Sequence, residues 1–277
     1  MLSLKPSLSK PSTSYGVIRA PAKHSRSFST RGQRLIARAA PQLDFLKDIQ
    51  VASLDDGMLQ DVTGLWERNP GQKCILAFMT HWGDLGSWEY AQRLSKALAK
   101  LEEAGVEVRC IGLGSVQGGR KFSEFTGFPQ KYLYADQDGA CCEALGFEAG
   151  FAPDAEISPY AKLVPMLLGV ESEGTIPEVL RGYFGDQSKK EVFEGATPFN
   201  LIGGGYQRPF ELATLRLMNS VKIIQNWNEL CPPKTELITR QGGTYLFEGD
   251  EVIFNHRDTG ILITPDVDDL VAAALGN

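Results

Sequence analysis

The sequence predicts an α/β fold: a mixed sheet of parallel βαβ units plus a C-terminal β-hairpin and a last helix, with a helical insertion. Three observations carry that expectation. Short apolar runs alternate with amphipathic stretches over residues 73–145. Two β-rich runs near the C-terminus are separated only by Gly249 and Asp250. Between these regions, at about 148–210, helix signals stand without strand signals. Strand–helix alternation places parallel strands side by side with helical crossovers.

Lys73–Met79 is a continuous apolar run of buried-strand length. A helix is expected from about Gly86 to Ala104, with Tyr90, Leu94, Ala97, Leu98 and Leu101 on its apolar stripe and Gly105 as its stop. Val106–Leu113 reads as the next strand, then a helix within Gln117–Phe125, a strand at Tyr132–Ala135 and a short helix from Ala140 to Leu145. In the insertion, Thr175-Ile-Pro-Glu178 has the spacing of a capping box for a helix through Leu180. Pro209 suits the opening of a helix over Phe210–Trp227. Thr244–Glu248 and Glu251–His256 fit a two-residue hairpin. Pro265–Leu275 closes the chain as a helix whose early acids Asp266, Asp268 and Asp269 suit its positive end.

Parallel βαβ units completed by a hairpin and a final helix are the layout of the thioredoxin fold. Several segments carry a closer likeness: Phe78-x-x-x-x-Gly83, Val106–Gly114, Phe122–Phe128, Tyr134-Ala-Asp136, Gly242–Phe247 and Asn255-His-Arg-Asp258. Together they resemble the AhpC/TSA, peroxiredoxin-like branch of the thioredoxin superfamily. Pro177–Tyr183 and Gly203–Leu217 resemble a plastid and cyanobacterial subgroup of that branch. The likeness spans roughly residues 44–275. It implies a thioredoxin-like fold, antioxidant relatives and a Cys-x-x-Cys directly after the position of Gly83. Asp84 and Ser87 stand at those two positions here, so no dithiol role carries over.

The chemistry of that replacement is specific. The first turn of a helix offers unpaired amides and the positive end of the dipole, which favour a thiolate, the nucleophilic form of cysteine. An aspartate uses the same field as an N-cap, through the amide of Gly86 or Ser87, for about 1 kcal/mol. It cannot form a sulfenic acid or a mixed disulfide.

Other candidates are weaker. Cys74 and Cys110 sit in apolar strands, as small buried hydrophobes do, and Cys231 precedes Pro232-Pro233 in a loop. Cys141 and Cys142 are the catalytic candidates for any surviving thiol reaction, because Asp138-Gly139 can start a helix there and lower a thiol pKa. Against that, Cys141 shares a face with Ala144 and Leu145, as a core residue would. His81 and Asp84 could form an acid–base pair or simply face water. Gly203, Gly204, Gly205 and Arg208 suggest an anion-binding loop with Arg181 and Arg216 nearby; the plainer reading has the arginines tying the insertion to the core. Trp82, Trp88 and Tyr90 fit packing, or a docking patch if exposed together.

Composition bounds the rest. Of 28 Lys and Arg, eight lie in residues 1–42, which hold none of the 34 Asp and Glu. The remainder has 20 basic against 34 acidic residues, a net of about −14, which argues against nucleic acid as a partner. Residues 1–42, serine-rich and acid-free, read as a transit peptide for the chloroplast, with the mitochondrion as alternative; residues 43–277 form the thioredoxin-like domain with the 148–210 insertion. Leu163–Val170, interrupted by Pro165, is too short to span a membrane. The five cysteines and three histidines show no metal spacing, and no cofactor is implied. The expected function is a redox-inactive binding or regulatory module for an unknown protein partner or small ligand. The alternative is a thiol-dependent antioxidant using Cys141 or Cys142.

Overall fold

The alternating side chains of Lys73–His81 (β3) set the architecture. Ile75, Ala77 and Met79 point to one face of the sheet, Cys74, Leu76 and Phe78 to the other, and all six are buried. A strand covered on both faces needs an unbroken apolar run, which is why β3 was legible in the sequence. The computed structural model describes residues 40–276; the leader expected over residues 1–42 lies outside them except for the backbone of its last three.

The sheet has seven strands in the order β2-β1-β5-β4-β3-β6-β7. These are β1 (Gln50–Ser53), β2 (Leu59–Asp61), β3, β4 (Val106–Leu113), β5 (Leu133–Asp136), β6 (Gly243–Glu248) and β7 (Glu251–Arg257). β3, β4 and β5 are parallel, whereas β1 runs antiparallel to β5 and β6 antiparallel to β3, with β7 completing the hairpin. This is a thioredoxin-like fold.

On one face lie α2 (Leu85–Ser95), α3 (Leu98–Glu103), α4 (Val116–Thr126) and α10 (Val267–Leu275), which bury Trp88, Leu94, Leu101, Phe122 and Leu270. The other face is covered by α1 (Ala40–Phe45) and α5 (Ala140–Ala144), through Leu43, Leu46, Cys141 and Cys142. Four helices separate α5 from β6: α6 (Pro159–Leu167), α7 (Thr175–Phe184), α8 (Glu211–Gln225) and α9 (Trp227–Leu230).

Two local expectations are corrected. The single helix over 86–104 is two helices: the amides of Lys96 and Ala97 bond three residues back, to Arg93 and Leu94, which tightens the turn while Leu98 and Leu101 stay on the core. The capping box at Thr175 does not form. Gly174, at φ 87°, is the N-cap, and the Thr175 hydroxyl meets Ser172 Oγ at 2.8 Å and the Ile261 carbonyl at 3.1 Å.

Candidate functional site

The β3–α2 junction builds the site. The register between β3 and β4 shifts between Phe78 and His81, and His81 pairs with Leu113 beyond the shift. Gly83 follows where no side chain fits, since a Cβ there would lie 2.7 Å from the Trp227 ring. Asp84 is extended (φ −88°, ψ 131°) and caps α2, its Oδ2 accepting the Ser87 amide at 3.0 Å. Ser87 is buried, with its hydroxyl 2.7 Å from Thr80 Oγ1. Below them, Trp88 Nε1 donates to the Trp82 carbonyl at 2.7 Å and Trp82 Nε1 to the Ser115 carbonyl at 3.0 Å; both indoles are fully buried. The aromatic side chains are packing, and they hold the start of α2 rigidly.

A cavity of about 190 Å³ opens at this junction, between the start of α2, the segment after β7 and α6. Thr80, Asp84, Ser87, Thr244 and Asp258 give it polar walls, while Leu163, Leu167 and Leu262 give it apolar ones. No lining residue is a cysteine.

Asp258 is the residue that sequence reasoning saw only as part of a resembling motif. Its amide donates to the Gly242 carbonyl at 3.1 Å, one residue beyond the Gly243–Arg257 pair of the β6–β7 ladder, and its side chain is 6% exposed. Oδ1 makes no hydrogen bond; His256 Nε2 lies 3.3 Å away, outside hydrogen-bonding geometry. Burial pushes the Asp258 carboxyl up to about 6, with His256 opposing and the Asp84 charge adding. A carboxyl whose folded pKa exceeds its unfolded one holds its proton more tightly in the native state. Stability therefore falls as pH rises from about 4 to about 6 and stays at the lower level above. Asp258→Asn should remove that slope in urea titrations across pH, gaining about 2–3 kcal/mol relative to wild type at neutral pH.

His81 does not pair with Asp84. Its Nδ1 accepts the Gly83 amide at 3.2 Å, its ring meets Trp227 edge-on at 5.7 Å, and burial lowers its pKa.

The profile describing the AhpC/TSA antioxidant enzymes matches residues 93–260. The protein belongs to the AhpC/TSA family. Among solved structures it is similar to the Xanthomonas campestris bacterioferritin comigratory protein, at 14% identity and TM-score 0.42, covering 84% of this chain and 94% of that one. Peroxidoxin BcpB of Mycobacterium tuberculosis shows 12% identity and TM-score 0.41, covering 82% and 91%. A peroxiredoxin-like protein of Aquifex aeolicus shows 8% identity and TM-score 0.37, covering 81% and 80%. No curated protein sequence is significantly similar to the chain.

In this AhpC/TSA member none of the five cysteines lines the cavity. Cys74 and Cys110 are fully buried in β3 and β4, where burial pushes their thiols up. The environment of Cys141 and Cys142 reverses the expected one. The Asp136 carboxylate takes the amides of Gly139, Ala140 and Cys141 at 2.9, 3.1 and 2.8 Å, so the start of α5 already holds a negative charge. Burial first, and that carboxylate second, push both thiols well above the usual cysteine range. Only Cys231 is partly exposed, its Sγ 3.6 Å from the Tyr160 hydroxyl. A thiol titration of the folded protein should accordingly report about one reactive group, and all five after denaturation.

The anion loop is also corrected. Arg208 is fully buried and its charge is taken by Glu211, Nη2 to Oε1 at 2.5 Å, with the Gly203 and Phe193 carbonyls at 3.3 and 3.1 Å. Arg181 is paired with Glu178, and Arg216 with Glu89 and Glu178. The arginines tie the insertion to the core and to itself, and among the described residues Arg181, Arg208 and Arg216 are all paired with carboxylates. Among the described residues, no cluster of His, Cys, Asp and Glu could hold a metal ion, and no helix is long and apolar enough to cross a membrane.

Proposed function

We propose that this AhpC/TSA protein is a binding or regulatory module that has given up dithiol chemistry at the β3–α2 junction. One observation carries the reading: Asp84 and Ser87, at the two dithiol positions, are engaged as a helix cap and a hydroxyl pair beside a cavity with no thiol in its wall. No thiol stands there to be oxidised and recycled. The cavity suits a small ligand with an apolar body against Leu163 and Leu262 and a hydrogen-bond donor for the acidic and hydroxyl side chains of its polar wall. The thiol-antioxidant alternative expected from the sequence runs through Cys141 or Cys142, whose thiolates burial and Asp136 both oppose. The acid-free composition of residues 1–42 supports delivery to the plastid stroma, testable by fusing that segment to a fluorescent protein.

The deciding assay is reductant-dependent peroxide consumption by the purified full chain. Silence is expected, together with silence toward a thiolate-selective reagent at pH 6. Turnover that disappears in Cys142→Ser would overturn the proposal in favour of the antioxidant reading.

A further inference from the structure

Helices α6, α7 and α8 each turn an apolar stripe to the outside and take charged or polar side chains inward. A helix on a solvated surface keeps its charges outward and its apolar stripe inward. In α7 the inward side carries Thr175, Glu178 and Gly182, whereas Ile176, Leu180, Tyr183 and Phe184 recur at helical spacing with 45–73% of their surface exposed. In α8 the inward side mixes Leu212 and Ile223 with Glu211, Arg216 and Asn219, while Leu217, Val221 and Ile224 form a second apolar stripe on the exposed side. On α6, Val164, Leu167 and the adjoining Leu168 repeat the pattern. The polar interior is stitched by Arg216, which holds Glu89 and Glu178 at 2.6 Å each.

The three stripes are continuous. α7 packs against both α6 and α8, and the rings of Tyr183 and Phe210 meet edge-on at 6.2 Å across the α7–α8 seam. The exposed portions of these side chains present on the order of 1,000 Å² of apolar surface. That exceeds the roughly 300–600 Å² patches of ordinary monomers and reaches the ~800 Å² that each partner of a stable pair buries.

We infer that the α6–α8 face is a self-association surface, covered by a second copy of this chain. Charge decides between a copy and a lipid surface. Helices that lie on bilayers ring their apolar face with lysine and arginine. Here Lys162 is buried and donates to the Pro153 carbonyl at 2.9 Å, Arg181 and Arg216 are in ion pairs, and only Lys222 is exposed. The exposed flanks carry Asp154, Glu156, Glu171 and Glu173 instead. A patch free of charge at its centre can face its own image across a two-fold axis without placing like charges in contact. The face also touches the cavity, because Leu163 and Leu167 of α6 form part of its wall. Pairing would hold that wall in place.

Sedimentation velocity of the full chain across the micromolar range tests this. The wild type should show the mass of two chains. Leu180→Glu with Phe184→Glu, both at exposed positions, should stay folded by circular dichroism and weaken association at least about 100-fold. Hydrogen exchange of the wild type at two concentrations should show added protection confined to residues 160–184 and 210–225, which tests the surface without any variant. A single-chain mass throughout the range, or pairing unchanged in the folded variant, would overturn the inference. Flotation of single chains with phosphatidylcholine–phosphatidylglycerol vesicles would reassign the face to lipid.

Discussion

Replacing Asp84 and Ser87 together by cysteine is expected to give the protein a dithiol–disulfide exchange activity above the wild-type level. Position 84 is the N-cap of the eleven-residue α2 and lines the cavity, so a thiol there would be accessible and would sit at the positive end of a real helix. The Ser87 amide that now donates to Oδ2 would face the sulfur instead. Those influences should lower the thiol pKa from about 8.5 toward 7. Position 87, one turn on and buried, suits a second sulfur that attacks only from within the site. The substitutions remove a cap worth about 1 kcal/mol and a hydroxyl partner of Thr80 worth a similar amount, so the variant should fold with about 2 kcal/mol less stability. Reduction of a small aromatic disulfide in the presence of dithiothreitol should run at least about tenfold above the wild-type background. Ser87→Cys alone should give none of it. A folded double variant without exchange would mean that the junction is no longer a redox scaffold, and that more than two side chains separate this chain from its dithiol relatives.

What the sequence displayed, and what it hid, follows from where the information lies. β3, β4 and the β6–β7 hairpin announced themselves because burial forces apolar runs and because Gly249-Asp250 leaves room only for a tight turn. The Asp84 cap was equally legible, since a capping bond spans three residues. β1 and β2 were not: they are four and three residues long at a sheet edge, with Leu59 turned to solvent, so neither shows a period. α6 was hidden by Pro165, which marks a break in most contexts but here sits in a helix that ends at Leu167. The environment of Cys141 and Cys142 was misjudged because the nearby Asp138 is not the cap; Asp136, at the end of β5, supplies it from farther back in the chain. Asp258 stood out only as the last residue of the Asn255-His-Arg-Asp258 likeness; its burial and its unpaired Oδ1 depend on packing that a local pattern does not display.

Arg216→Leu is expected to cause the largest loss of stability of any single change considered. The guanidinium binds Glu89 of α2 through Nε at 2.6 Å and Nη2 at 3.1 Å, Glu178 of α7 through Nη2 at 2.6 Å, and the Glu178 carbonyl through Nη1 at 2.9 Å. Burial pushes the Glu89 carboxyl up despite Arg216, whereas at Glu178 the charges of Arg181 and Arg216 outweigh burial and hold it down. Leucine would fill the volume but leave Glu89 facing Glu178 without this cation between them. Removing one partner of a buried ion pair costs about 3–5 kcal/mol, because the remaining charge stays desolvated. For a chain of this size Tm should fall by on the order of 10 °C in calorimetry. The deficit carries its own pH signature. Without Arg216 the folded pKa of Glu89 rises further above its unfolded value, so the penalty grows as pH rises through that range and shrinks in acid. A variant losing the same stability at pH 5 and pH 8 would place the damage in packing instead of charge. The consequences should also reach beyond stability, because Arg216 joins the helix that bears Asp84 to α7 and α8, two of the three helices that carry the exposed apolar face. Binding of a ligand at the cavity and pairing of chains through α7 and α8 should weaken together in a milder variant such as Arg216→Lys. That variant keeps the charge but cannot span both carboxylates in the same fork.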